Sequence, residues 1–283
     1  MIPSIILISA LSIISNIQSL QNLATNPWDE YDIYILAIQW GSTMYLTAKN
    51  ETYCYELLKQ IPIHSMSIHG LWPSFASGKY LSDCNTGDEI TVNDTGSETF
   101  LKMRQYWPSL SNTNQYFWTH EYNKHGFCYI KKMELDERDY EIYFNKTLDL
   151  FFENTMENII IEFYGHKDNG DYVLTDLKNK LDEKFGENTY SLRCQNYEEK
   201  YYLSEIRFRL DMNLSITTNG KTDTNCPNGT NIYARFVNFD TINNNICFIN
   251  MKYIYFILIY KSLKVSLFGL HSNFIFVLNG ELN

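Results

Sequence analysis

Six cysteines scattered along the chain, Cys54, Cys84, Cys128, Cys194, Cys226 and Cys247, constrain its folding more than any other feature. None stands in a CxxC pair, so the spacing supports neither a zinc ribbon nor a thioredoxin-like redox motif. An even number of separated cysteines suits disulfides, which form in oxidising compartments. The start of the chain agrees with export. Residues 1–19 carry no charged side chain, an apolar run from Ile5 to Ile14 and a small residue, Ser19, at the close, which reads as a secretory signal peptide. The alternative, an N-terminal membrane anchor, falls short of the roughly 20 apolar residues a spanning helix needs. Five sequons, at Asn50, Asn93, Asn145, Asn213 and Asn228, are candidate glycosylation sites.

The patterning between these cysteines mixes helix and strand. Residues 31–40 are apolar on both faces and predict a buried strand. Ser65 to His69 alternates, then meets Gly70 and Pro73, predicting a short strand that presents His69 at a turn. Thr95 and Glu98 have capping-box spacing ahead of a helix that ends before Pro108. A helix is expected from Trp118 to His125, stopped by Gly126. Tyr140, Tyr143, Phe144, Thr147, Leu148, Phe151 and Phe152 mark a strongly amphipathic one, and Thr175 caps another that ends at Gly186. Further strands follow where Ile206, Phe208 and Leu210 alternate with Glu205, Arg207 and Arg209, and from Ile232 to Phe239, with an Asn-rich loop between. The interleaving lacks regular βαβ spacing, so the expected class is α+β with an antiparallel sheet.

Charge narrows the function. With 23 Lys and Arg against 33 Asp and Glu, the net charge is −10, which argues against a protein that coats long nucleic acid. An enzyme that engages a few nucleotides at a time stays possible. Residues 248–283 stand apart: Lys252, Lys261 and Lys264 against Glu281 give +2, leaving −12 for the rest. Lys261 and Lys264 split this apolar tail, so a membrane span is not expected there.

Two clusters carry the chemistry: Ser67-Ile-His69-Gly-Leu-Trp72-Pro73, and Phe117-Trp-Thr-His120-Glu121-Tyr-Asn-Lys124-His125-Gly-Phe-Cys128. At about 100° per residue, His120, Glu121, Lys124 and His125 share one helix face. A zinc helix would place histidine four after His120, but Lys124 stands there and repels a cation. Cys128 is a poorer candidate for a nucleophile than for a disulfide. What remains is acid–base work on an anion: two histidines exchange protons while lysine and a third histidine hold phosphate charge. Cleavage of RNA through its own 2′-hydroxyl needs that set and no metal or other cofactor.

Both clusters resemble the active-site segments HGLWP and WxHEWxKHGxC of the T2 family of secreted ribonucleases. Gln39-Trp40 is similar to the family's QWP, with Gly41 in place of Pro. Tyr122 stands where the family has Trp, and Phe127 where it has Ser or Thr. The resemblance implies a curved antiparallel sheet flanked by helices over a catalytic domain within residues 20–247, and cleavage of single-stranded RNA, not DNA, through a 2′,3′-cyclic phosphate. It implies His69 as general acid, His125 as general base, His120 on the phosphate, and Glu121 and Lys124 stabilising the phosphorane; the sequence alone would permit the acid and base labels to be exchanged. Gln39, Trp72 and Phe117 are candidate substrate-binding residues, with a core role equally open for Trp72. Cys84 with Cys128, and Cys194 with Cys226 or Cys247, fit the family's bridges; Cys54 has no assigned partner. The expected protein is a monomer, secreted or endolysosomal. The rival reading is a secreted glycoprotein that binds receptors or RNA, with catalysis incidental.

Overall fold

Alternating apolar side chains decide the sheet, and they decide it around one central strand. A computed structural model describes residues 27–47 and 65–236, except 80, 82, 83, 86 and 169. The chain divides into two units, Met1–Thr241 and Ile242–Asn283, and every described residue lies in the first. The signal at 1–19, Asn50, Cys54, Cys247 and the tail 248–283 therefore lie outside the described residues.

Strand β1 (Ile33–Gln39) pairs antiparallel with β2 (Ser67–Ser74) on one side and β5 (Lys200–Leu210) on the other. Residues directly across a ladder share a face. One face aligns Tyr34, Leu36 and Ile38 of β1 with Leu71 and Ile68 of β2 and with Leu210, Phe208 and Ile206 of β5, all buried in the core. The opposite face aligns Gln39, Ala37 and Ile35 with Glu205, Arg207 and Arg209, and with Gly70 and Trp72. The sheet thus has an oily side and a side that carries charge.

The remaining strands are β3 (Gly170–Val173), β4 (Tyr190–Tyr197) and β6 (Ile232–Phe236), giving the order β2-β1-β5-β6-β3 with β4 paired to β5. The α+β class holds, but the sheet is not wholly antiparallel. Strand β6 runs parallel to β5 over Tyr201↔Ile232 and Tyr202↔Tyr233. Parallel neighbours need a crossover of a dozen or more residues, which the Asn-rich stretch 211–231 supplies, tethered by the Cys194–Cys226 disulfide.

The described helices are α1 (Pro27–Glu30), α2 (Gly41–Thr47), α3 (Glu98–Tyr106), α4 (Asn114–Glu121), α5 (Phe127–Lys132), α6 (Tyr140–Glu153), α7 (Ile159–Tyr164) and α8 (Leu177–Phe185). Helix α6 buries Tyr143, Phe144, Thr147, Leu148 and Phe151, as its periodicity predicts. Two caps differ from expectation. Ser97, not Thr95, accepts the Phe100 N–H at the start of α3, because its extended backbone aims the hydroxyl at the third residue. Asp176, not Thr175, stands at the start of α8, in a left-handed conformation with no side-chain cap.

A Cys84–Cys128 disulfide closes a separation of 44 residues and ties α5 to the segment after β2. Loop closure of that length is worth about 4 kcal/mol in the chain-entropy treatment. We therefore expect the C84S/C128S double variant to lose about 2–4 kcal/mol of unfolding free energy, read from denaturant unfolding with its own fitted slope, which rises as the unlinked unfolded chain expands.

Candidate active site

The first cluster is not a strand that stops at a turn. Strand β2 continues through Gly70, Leu71, Trp72 and Pro73 to Ser74, and its pairing shows why His69 is singular. Ala37 faces Gly70 while its neighbour Ile38 faces Ile68, so His69 is the extra residue of a β-bulge. Bulges re-aim a side chain, and here the residue re-aimed is the candidate acid. Trp107 Nε1 donates to the His69 carbonyl at 2.9 Å and holds the backbone at the bulge. Pro73 is tolerated because β2 lies at the sheet edge.

The second cluster is a helix, but Gly126 does not stop it. Helix α4 runs into a π-helical turn, Tyr122–Gly126, which passes directly into α5. The Phe127 N–H reaches the Tyr122 carbonyl, five residues back. A π turn carries an extra residue and concentrates at functional sites. A Cβ on Gly126 would come within 2.6 Å of the Tyr143 ring and 2.7 Å of the Tyr122 ring, so glycine is there for close packing and not for termination.

The two clusters meet over Gly70. Glu121, 2% exposed, accepts from Trp72 Nε1 at 2.9 Å, and a Cβ on Gly70 would lie 2.2 Å from both partners. Its other oxygen lies 4.0 Å from His69 Nε2. The Trp72 ring is buried, with His69 edge-on at 5.0 Å, His125 at 5.4 Å and the Arg207 guanidinium at 5.1 Å. It forms a wall of the site. Phe117 lies 5.9 Å from His69. His120 and Lys124 line an adjoining hollow of about 150 Å³ with Asn85, Glu89, Tyr116, Thr119 and Asn123. Gln39 is buried and donates to the Ile68 carbonyl at 3.4 Å, beside the bulge.

One partner was not singled out from the sequence. Glu205 of β5, buried, contacts His69 Nδ1 with its Oε2 at 2.5 Å, and its Oε1 accepts from Arg207 Nε. The pattern that could have revealed it is the alternation of Glu205, Arg207 and Arg209 along a strand that is otherwise buried.

These environments set the protonation states apart. Burial alone would lower the affinity of His69 for a proton, but the Glu205 hydrogen bond and the charges of Glu205 and Glu121 together hold its pKa above 6.5, against an opposing effect of Arg207. His125 is pushed well below 6.5 by burial and by the positive charges of Lys124, His69 and His120, and its buried Nδ1 has no hydrogen-bond partner among the described residues. Burial raises the Glu121 carboxyl to about 7 despite His69, Trp72 and Lys124.

The profile of the Ribonuclease T2 family matches residues 31–226. The chain belongs to the ribonuclease T2 family. It is a T2-type endoribonuclease. Ribonuclease DdI of Dictyostelium discoideum is 32% identical over 183 residues, covering 64% of this chain and 76% of the relative. Ribonuclease 1 of Arabidopsis thaliana is 27% identical over 189 residues, covering 66% and 76%. The crystal structure of Japanese pear S3-RNase shares the fold with a TM-score of 0.52 at 21% identity, over 72% of this chain and all of that one.

The departures from the T2 motifs are absorbed structurally. Tyr122 is buried, and its hydroxyl donates to the Glu137 carbonyl at 2.5 Å. Phe127 is buried against Trp28, edge-on at 6.0 Å. Gly41 opens α2. Of the expected bridges, Cys84–Cys128 and Cys194–Cys226 are present, so Cys194 pairs with Cys226 and not with Cys247.

Two outcomes are expected here. In an NMR titration of the histidine ring protons, one ring, His69, titrates above 6.5 and another, His125, well below it. Gly70→Ala forces the Trp72–Glu121 contact apart and lowers kcat by at least tenfold, measured on RNA alongside a thermal melt.

Proposed function

We propose that this endoribonuclease cleaves single-stranded RNA without a metal, through attack of the substrate's own 2′-hydroxyl and release of a 2′,3′-cyclic phosphate. The observation that supports the reading is the opposed setting of two nearby imidazoles. A neutral His125 accepts the 2′-hydroxyl proton as the 2′-oxygen attacks phosphorus. A cationic His69 gives its Nε2 proton to the 5′-oxygen as the P–O5′ bond breaks, which leaves a neutral 5′-hydroxyl on the departing strand. DNA lacks the attacking group and is not a substrate.

Glu121 suits a phosphorane only in its acid form. A carboxylate would repel a non-bridging oxygen, whereas a carboxylic acid donates to it, and a carboxyl raised to about 7 is neutral in weak acid. Lys124 and His120 supply positive charge from the adjoining hollow. Phe117 and Trp72 border the space where a base would lie. Export as a glycoprotein, to the cell exterior or the endolysosomal lumen, is supported by the two disulfides and by the exposure of Asn93, Asn145, Asn213 and Asn228.

The test is digestion of single-stranded RNA in EDTA with end-group analysis. Cyclic-phosphate ends are expected, with activity falling by 10²-fold or more in His69→Phe and in His125→Phe. Activity that survives either change, or is lost to chelation, would overturn the mechanism. The pH profile follows with its sign: activity rises as His125 loses its proton, well below 6.5, and falls as Glu121 loses its proton near 7 and as His69, held above 6.5, loses its own. A maximum in weak acid is expected; an alkaline maximum contradicts the assignment.

A further inference from the structure

We infer that Glu205, on a strand remote in sequence from both histidine clusters, is the positioning residue of the general acid, holding the His69 ring by Nδ1 so that Nε2 faces the leaving oxygen. The inference rests on the proposed role of His69 and adds a residue to it.

Geometry carries the argument. His69 and Glu205 belong to different strands separated by β1, and direct contact has to cross that strand. Ala37 makes the crossing short, since it faces Gly70 on one side and Arg207 on the other, and neither alanine nor glycine fills the space between. A bulge lies next to each partner. His69 is the unpaired residue of β2; on β5, Arg193 faces Glu205 while Cys194 faces Leu203, leaving Ser204 unpaired beside Glu205. The Ser204 hydroxyl donates to the Arg193 carbonyl at 2.9 Å and so anchors that second bulge.

The carboxylate has little freedom. Oε2 is on His69 and Oε1 is on Arg207, whose guanidinium also lies over Trp72 and 3.7 Å from Asp223. A carboxylate accepting from Nδ1–H fixes the ring's orientation, and in the imidazolium it leaves Nε2–H as the remaining donor. Nε2 is the nitrogen that lies 4.0 Å from Glu121, on the side of the second cluster. The ring therefore works with one nitrogen held by the sheet and the other facing the site. The charged groups around His69 are Glu205 and Arg207 from β5 and Glu121 from α4, with Lys124 and His125 of the π turn beyond. Of these, Glu205 alone makes a hydrogen bond to the ring, and its charge and contact counter the effect of burial on the imidazolium.

Leaving-group chemistry separates this role from simple structural support. A dinucleoside monophosphate expels an alkoxide and needs the acid, whereas a nucleoside 3′-(4-nitrophenyl phosphate) expels an acidic phenol and needs it little. In Glu205→Gln, kcat on the dinucleotide is expected to fall 10²-fold or more with KM within threefold. On the nitrophenyl ester the loss stays within about threefold, and Glu205→Asp recovers part of the dinucleotide rate. In parallel, the His69 ring titration in Glu205→Gln moves from above 6.5 to below it, a readout independent of cleavage.

Equal losses on both substrates, an unchanged dinucleotide rate, or an unmoved His69 titration would each overturn the inference. Failure of the wild-type protein to release cyclic-phosphate ends overturns the proposed function instead. The titration arm still decides whether Glu205 governs the ring.

Discussion

The Trp72–Glu121 hydrogen bond across the bare α-carbon of Gly70 is the contact on which the site depends. It joins the edge strand of the sheet to the helix and π turn that carry Phe117, His120, Glu121, Lys124 and His125. It is also one link of a closed circuit: His69 to Glu205, Glu205 to Arg207, Arg207 over Trp72, Trp72 to Glu121, and Glu121 back towards His69. Buried charges are costly unless paired and hydrogen-bonded, and each polar member of this circuit finds its partner within it. Removing one member leaves another buried without compensation, so we regard the circuit as a unit whose parts do not contribute additively.

Two histidines about one tryptophan do different work because their surroundings differ. His69 is hydrogen-bonded to the Glu205 carboxylate, which stabilises its cation against burial and against the Arg207 guanidinium. His125 faces Lys124, His120 and His69, and is driven neutral. The sequence alone permitted the acid and base labels to be exchanged, since both residues are histidine in a polar cluster. The His69 half of the asymmetry comes from Glu205 on strand β5, about eighty residues beyond the second cluster.

Much of the fold and site was legible in the sequence, and the exceptions have physical causes. The periodicity of α6 located its buried face, since a helix held by apolar packing announces itself in spacing. His69 was expected at a turn because Gly and Pro usually punctuate a strand; here an edge position tolerates Pro73, and Gly70 serves a close approach made from another element. Gly126 misled in the same way, its missing side chain being required by the Tyr143 and Tyr122 rings. The π turn has no local signature, because it depends on what packs against the helix. Glu205 was visible as a charge alternating along a strand, but a partner for His69 across an intervening strand follows only from register.

The net charge of −10 bears on the chemistry in one further way. An acidic surface repels RNA more as pH rises, while the site's own groups set limits from within. Glu121 stops being a donor near pH 7, and His69 begins to lose its proton above 6.5, so both lose the required form as the surface becomes less welcoming. His125, held well below 6.5 by burial and its cationic neighbours, sets the opposite limit. Because these groups lie within interaction range, protonation of one shifts the others, and the observed limbs belong to the cluster and not to single residues. Local electrostatics and overall charge thus favour the same weakly acidic range for separate reasons. High salt, which screens the surface far more than the buried circuit, should therefore weaken the first effect and leave the second.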